Sequence, residues 1–257
     1  MSNPHTDSST SPCRLIIHGA SGRVGRRLCD LALNDPRFCL VAGIVHNASP
    51  SLGRALAPAH ASSLPLTGIS ASAPSAEVVL DFSHASGVRN ATELAVRLHS
   101  ALLVGTTGLD APTTDALRAA AREIPVLLAP NTSPGVALLA DLAEMAARTL
   151  GPAFHASIVE AHHIHKKDAP SGTAKRLAAA IASAGEQGPT MDPDQVLSLR
   201  GGDVVGEHTI RFAGDGEYLE LTHRATSRDL FAHGALRAAL WLRAKPAGWY
   251  SIEQTLR

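Results

Sequence analysis

Between Glu160 and Ala174 the chain reads Glu-Ala-His-His-Ile-His-Lys-Lys-Asp-Ala-Pro-Ser-Gly-Thr-Ala, with three imidazoles and two ammonium groups inside six residues. An imidazole titrates near neutral pH, at a pKa of about 6.5, and an ammonium can stabilise or quench a developing anion. Just upstream, Ser157-Ile158-Val159 reads as a short buried strand. If that extended chain continues, alternation places His162, Ile164 and Lys166 on one face and His163 and His165 on the other. A Pro-Ser-Gly-Thr turn follows, and an alanine-rich helical run begins near Ala174. The first N–H groups and the dipole of that helix suit an anion. Gly172 lets a carboxylate approach the backbone there, and Thr173 adds a hydroxyl donor. These residues describe a pocket for an acidic small molecule with a proton donor at hand.

A second motif sits near the start of the chain. The β run Arg14–His18 enters Gly19-Ala20-Ser21-Gly22-Arg23-Val24-Gly25, and a helical pattern follows to about Leu33. Strand, tight turn and helix start are the context in which a glycine loop cradles a diphosphate. The spacing is G-x-x-G-x-x-G, and Ser21 stands where the generic dinucleotide fingerprint has its second glycine. A plain strand-to-helix turn has the same appearance.

The elements that must hold these motifs alternate. Leu40–Val45, Glu77–Phe82, Ala101–Val104 and Val126–Ala129 read as strands, with helices over 87–98 and up to about Arg122. Such alternation predicts a parallel sheet with right-handed crossovers, and ligands at the carboxyl ends of its strands. The loops there are Gly19–Gly25, Asp81–His84, Gly105–Gly108 and Ala129–Ser133, rich in glycine and hydroxyl groups. The stretch 48–75 is weakly periodic and is predicted to hold one short helix. Ser133 caps a helix with Pro134 at its first position, running to about Leu150. After the histidine strand and a helix over 173–183 come β runs at Leu197–Arg200, Val204–Phe212 and Glu217–Ala225. The last two are joined by Gly214-Asp215-Gly216, a hairpin signal. A final helix covers about 227–243. The pattern predicts two domains, a nucleotide-binding half and an α+β half.

Composition narrows the partners. The 257 residues carry a formal net charge of zero, with 45% hydrophobic and 18% charged residues. That balance favours neither nucleic acid nor a membrane surface. No apolar run is long enough to span a bilayer. The first dozen residues are polar, without the apolar core of a signal peptide, and are predicted to form a disordered tail over 1–12. Cys13, Cys29 and Cys39 lack metal-ligand spacing and suit a reducing cytoplasm, so a cytoplasmic location is predicted.

The sequence resembles the 4-hydroxy-tetrahydrodipicolinate reductase (dihydrodipicolinate reductase) family. The resemblance rests on His162-His163-x-His165-Lys166-x-Asp168-Ala169-Pro170-Ser171-Gly172-Thr173, a string specific to that family. It extends over nearly the whole chain after the tail, through Gly19–Gly25, Val104–Gly108, Ala129–Ser133, Arg200–Gly202, Gly206–His208, His223–Ala225 and Phe231–Ala235. The resemblance implies an α/β fold: a Rossmann-like parallel-sheet nucleotide-binding domain plus an α+β domain with an open mixed sheet. It implies domain limits of 13–130 with 230–257, the last segment returning to the nucleotide domain, and 131–229 for substrate binding and oligomerisation. It implies reduction of a cyclic imine dicarboxylate with NADPH or NADH in the diaminopimelate route to lysine, by a homotetramer joined through the second domain's sheets. Carried over by position, His162 matches the acid/base and Lys166 the proton donor. His163, Lys166, Gly172 and Thr173 match the substrate contacts. Gly19, Ala20, Ser21, Gly22, Arg23 and Val24 match cofactor contacts, as do Gly105, Thr106, Thr107, Ala129, Pro130, Asn131 and Thr132. One departure stands out. Where many members have an acidic residue at the end of the second strand, this chain has Val45 followed by His46, which makes His46 a further candidate cofactor contact.

Rival readings remain. Three close histidines could ligate zinc, but alternation splits them between faces and no acidic or thiol ligand has a useful spacing, so no metal is expected. A different Rossmann-type NAD(P)-dependent dehydrogenase would share the architecture without the Asp168–Thr173 turn. A non-catalytic nucleotide sensor would need no Lys166 beside His162. His208, His223 and His233 are read as surface groups of sheet or helix.

Overall fold

The computed structural model describes residues 11–58, 60, 63–69, 73–191 and 195–257, so the predicted tail falls outside the described residues up to residue 10. In chain order the elements begin β1 (Cys13–His18), α1 (Arg23–Leu33), β2 (Phe38–Ile44), β3 (Leu66–Thr67), β4 (Val78–Asp81), α2 (Val88–Leu98), β5 (Ala101–Val104), α3 (Ala111–Ala120) and β6 (Pro125–Leu128). They continue α4 (Pro134–Leu150), β7 (His155–His162), α5 (Gly172–Ala182), β8 (Val196–Arg200), β9 (Gly206–Gly214), β10 (Glu217–Ala225), α6 (Asp229–Leu242) and β11 (Gly248–Tyr250). The chain divides into two units, Met1–Ala129 with Ala235–Ser251, and Pro130–Gly234 with Ile252–Arg257.

Unit 1 is a seven-stranded parallel sheet in the order β11-β6-β5-β4-β1-β2-β3. Its strands are continuous apolar runs because both faces are covered. Ile16, Ile44, Val79 and Val104 pack with Val88, Leu94 and Leu117 of α2 and α3. Leu15, Ile17, Leu80 and Leu103 alternate to the other side and are also fully buried. From β1 the chain goes to β2 on one side and returns to β4 on the other, so the strand order reverses at the β1/β4 crevice. A ligand is expected above such a point. No helix forms among the described residues of 48–75, contrary to the sequence expectation. The segment turns repeatedly and lays Leu66 beside Gly43 as the edge strand β3.

Unit 2 is a mixed sheet in the order β10-β9-β7-β8, in which only β7 and β8 run parallel. Ser133 Oγ accepts from Val136 N at 3.2 Å and Pro134 opens α4, as the capping pattern requires. Leu139, Ala143 and Ala147 of α4 and Leu177 and Ile181 of α5 bury Ile158, Ile210 and Phe212 on one sheet face. The β9–β10 hairpin closes with a two-residue Asp215-Gly216 turn, Gly214 opposite Glu217. Gly216 has φ +78°, the left-handed conformation that glycine tolerates without strain. The other sheet face leaves Val159, Leu197 and Leu199 exposed.

The observed partition differs from the domain limits implied by the resemblance. Residues 230–234 belong to unit 2, where Thr132 Oγ1 donates to the Phe231 carbonyl at 2.6 Å. Ile252–Arg257 also join unit 2, because Glu253 pairs with Arg176 and Arg257 with Asp141.

Candidate active site

In unit 2, β7 carries Ala156, Ile158, Glu160 and His162 to one face, where all four are buried. The first two join the core, and the last two emerge at the strand end as a polar pair. Glu160 is fully buried, and its carboxylate accepts from His162 Nδ1 through Oε2, and through Oε1 from Arg200 Nη2 at 2.9 Å and Ser171 N at 3.3 Å. Register makes this possible: Arg200 of β8 lies directly beside His162. Burial pushes the Glu160 carboxyl up, but Arg200, Ser198 and His162 outweigh it and hold its pKa below the usual value. Burial likewise pushes His162 down, against the raising effect of Glu160 and with the charges of Lys166 and Arg200 adding to it. Gly206 makes room for the ring: a Cβ there would lie 3.0 Å from His162 Nε2.

The alternation expected beyond His162 does not occur. Gly201 N takes the His162 carbonyl at 2.9 Å, Ile164 N bonds to Gly202 O, and Lys166 N closes a turn on His163 O at 3.1 Å. Ile164 is therefore exposed, and His163 and His165 lie together with rings 6.2 Å apart. Lys166 gets its place from the turn instead of a strand face. Its ammonium is 2.8 Å from both oxygens of Asp168, which lowers the Asp168 pKa. Its carbonyl accepts from Arg200 Nε at 3.3 Å. Ser171 caps α5 by accepting from Ala174 N at 3.1 Å, so Gly172 and Thr173 form the first turn. Asn131 Nδ2 donates to Thr173 Oγ1 at 3.0 Å.

Sequence reasoning missed Glu160, Arg200 and His208. His208, read as a surface group, is buried, edge-on to His162 with ring centroids 5.2 Å apart, and within 3.1 Å of Ser171 Oγ. Burial, with the neighbouring His162, pushes its pKa down to about 4. The signal was present in β9, where Gly206, His208, Ile210 and Phe212 share the buried side. His223 is half-buried against Ser133, and His233 is exposed as expected. Glu160, His162 and His208 could in principle converge on a cation. Arg200 already occupies Glu160 Oε1, and a guanidinium repels a metal ion.

In unit 1, Gly19, Ser21, Gly22 and His46 line a cavity of about 330 Å³ at the carboxyl ends of β1, β2 and β4. Ala20 lies buried beneath, while Arg23 and Val24 open α1. Gly22 stands at the cap position of α1 and offers no side-chain acceptor, so the first helix amides are left for an anion. Gly19 has φ +81°, and a Cβ there would lie 2.5 Å from the Phe82 carbonyl oxygen. A nicotinamide dinucleotide fits this cradle: close backbone, uncapped helix start and a hollow at the topological switch. At the end of β5, Gly105 lies against the Phe82 ring, Thr106 is buried and Thr107 exposed. Ala129 closes unit 1 after β6, and Pro130, Asn131 and Thr132 begin unit 2. The expected cofactor contacts are thus divided between the units.

Residues 13–132 match the profile described as dihydrodipicolinate reductase, N-terminus, and residues 135–256 that of its C-terminus. The 4-hydroxy-tetrahydrodipicolinate reductase of Xanthomonas euvesicatoria pv. vesicatoria is 44% identical over 246 residues, covering 95% of this chain and 98% of that one. That of Aquifex aeolicus is 42% identical over 260 residues, with 95% and 98% covered. The dipicolinate-bound dihydrodipicolinate reductase of Paenisporosarcina sp. TG-14 shares the fold, with a TM-score of 0.76 over 93% of this chain and 97% of that chain at 23% identity. With both halves matched in order and relatives aligned almost end to end, the chain belongs to the dihydrodipicolinate reductase family.

Proposed function

We propose that the chain reduces 4-hydroxy-tetrahydrodipicolinate, by way of dihydrodipicolinate, to tetrahydrodipicolinate in the diaminopimelate route to lysine. The observation that carries this is the unit 2 cluster: the Lys166 ammonium, the Glu160-held His162 and the open start of α5. A nicotinamide cofactor supplies the hydride when bound. Hydride addition to a conjugated imine leaves negative charge, and Lys166 stabilises it and donates the proton that quenches it. His162, its Nδ1 fixed by Glu160, presents Nε2 for acid/base work. His163, Gly172 and Thr173 receive the substrate carboxylates, the last two through helix-start amides and a hydroxyl. The test is a coupled assay with pyruvate, aspartate semialdehyde and the upstream synthase. Absorbance of the reduced cofactor is expected to fall only when the chain is added, and no fall would refute the reading.

Gly172 offers a sharper probe of the pocket. Among the described residues, apart from its chain neighbours and the helix's own backbone, no atom lies within 4 Å of the position its Cβ would take, and its φ is ordinary, so Gly172→Ala is expected to fold with unchanged or slightly raised stability. The added methyl intrudes where a carboxylate meets the backbone, so substrate KM is expected to rise about tenfold, the scale of one lost charge-assisted hydrogen bond of about 1.5 kcal/mol. Pyridine-2,6-dicarboxylate is expected to compete with substrate, and more weakly in the variant. Equal inhibition of both forms would place the carboxylates elsewhere.

NADPH is expected to be used at least as well as NADH. Buried Val45 can neither bind ribose hydroxyls nor repel a 2′-phosphate. His46 lines the cavity, and its Nδ1 accepts from Ala48 N at 3.1 Å, which leaves Nε2 to carry the ring's proton toward a ligand. That donor can meet a phosphate oxygen, so the preference should lie toward NADPH. The ratio of kcat/KM for the two cofactors checks this. A tenfold preference for NADH, about 1.4 kcal/mol, would refute it.

The chain is further proposed to act as a homotetramer through the uncovered sheet face of unit 2. Leu197, Val159 and Thr209 form one row across β8, β7 and β9 on that face. Light scattering at micromolar concentration is expected to give four times the monomer mass, and Leu197→Lys to lower it.

A further inference from the structure

The β1/β4 crevice holds a side-chain pair that the reaction as described leaves without a role. His18, at the last position of β1, lies in register with Asp81, at the last position of β4. His18 is 5% exposed and lines the unit 1 cavity. Its Nδ1 is 2.6 Å from Asp81 Oδ1. Asp81 is fully buried, and Ser83 Oγ donates to it at 2.7 Å and Thr106 Oγ1 at 2.5 Å. Thr106 also accepts from Ser83 N at 3.0 Å, so its single hydroxyl proton points at the carboxylate. The carboxylate is thus a pure acceptor, and the proton between it and His18 sits on Nδ1. In the neutral ring this leaves a lone pair on Nε2, which makes no hydrogen bond among the described residues. Gly87 keeps the space beside the ring open: a Cβ there would lie 3.2 Å from His18 Cε1. A ring nitrogen with a fixed tautomer and no protein partner, on a residue that lines a cavity, can take a donor from a ligand there.

We propose that His18 is a cofactor-contacting residue, whose Nε2 accepts a hydrogen bond from the nucleoside part of the dinucleotide, with Asp81 as its positioning residue. This rests on the dinucleotide reading of unit 1. The donors of that part are its ribose hydroxyls and adenine amino group. Phosphate oxygens only accept and cannot serve an unprotonated Nε2. The same cavity extends to Val45 and His46, where the adenosine ribose is placed above, so a nucleoside donor is within its bounds.

The test is nitrogen NMR of the full chain with ¹⁵N-labelled histidine, His18 being assigned by His18→Gln or, if that fails to fold, His18→Asn. Addition of NADH or ADP-ribose is expected to shift the His18 Nε2 resonance while it stays unprotonated, whereas pyrophosphate leaves it in place. Asp81→Asn can donate to Nδ1 and invert the tautomer, so it is expected to move the proton to Nε2 and weaken NADH binding tenfold or more by calorimetry. An Nε2 signal that ignores bound NADH, or becomes protonated when NADH binds, would overturn the assignment of His18. Absence of any NADH binding to the unmodified chain would instead overturn the dinucleotide reading itself.

Discussion

Replacing Lys166 by alanine is expected to reduce kcat by about three orders of magnitude while leaving the fold intact, on the scale set by losing a transition-state charge partner together with a proton donor. The fold should persist because the ammonium pairs with a surface carboxylate and not with the core. Its ion-pair partner, Asp168, is exposed, and pairs of that kind contribute about 0–1 kcal/mol. The two backbone contacts of Lys166, its N–H to His163 O and its carbonyl to Arg200, survive the substitution. Thermal unfolding should therefore move little. Substrate KM should change less than kcat, since the charge it answers develops during the reaction. Single-turnover rates with saturating reduced cofactor measure this directly. A variant that retains a tenth of the normal rate would remove Lys166 from the proton-donor role.

Glu160→Gln should damage both stability and rate. The substitution keeps the shape but removes the buried carboxylate that Arg200 pairs with, and breaking a buried ion pair costs about 3–5 kcal/mol. Arg200 retains the carbonyls of Lys166, Leu199 and Asp168, so the lower end, about 3 kcal/mol, is expected in urea unfolding. Because Glu160 has a lowered pKa in the fold, its contribution is fully present above the unfolded value of about 4.3 and is lost as pH falls below it. The unmodified chain should thus lose more stability below about pH 4.3 than the variant does. In catalysis, Glu160 raises the His162 pKa against burial, so its removal should lower that pKa further. The inflection of kcat/KM assigned to His162 should move to lower pH, with a rate loss of about a hundredfold. An unmoved inflection alongside the stability loss would leave Glu160 as a structural residue only.

What the sequence determined by itself is local. Periodicity and capping residues placed β1, β4, β5 and α4 within a residue or two, because each depends on its own apolar pattern and on side chains within one turn. The glycine loop was legible for the same reason: a left-handed Gly19 and an uncapped helix start are properties of consecutive residues. The string from His162 to Thr173 pointed to an acidic ligand beside a proton donor, since its imidazoles, ammonium and helix start are contiguous. Tertiary structure decided the partners and the directions. Strand alternation failed beyond His162 because Gly201 and Gly202, some forty residues on, capture the backbone and turn it. Glu160 became an ion-pair partner only when β8 laid Arg200 beside His162, and β9 brought His208 in edge-on. The His18–Asp81 pair likewise exists because β4 returns beside β1, although 63 residues separate them in sequence. A carboxylate or an imidazole carries no period of its own, and its role is set by what the sheet register places within about 3 Å of it.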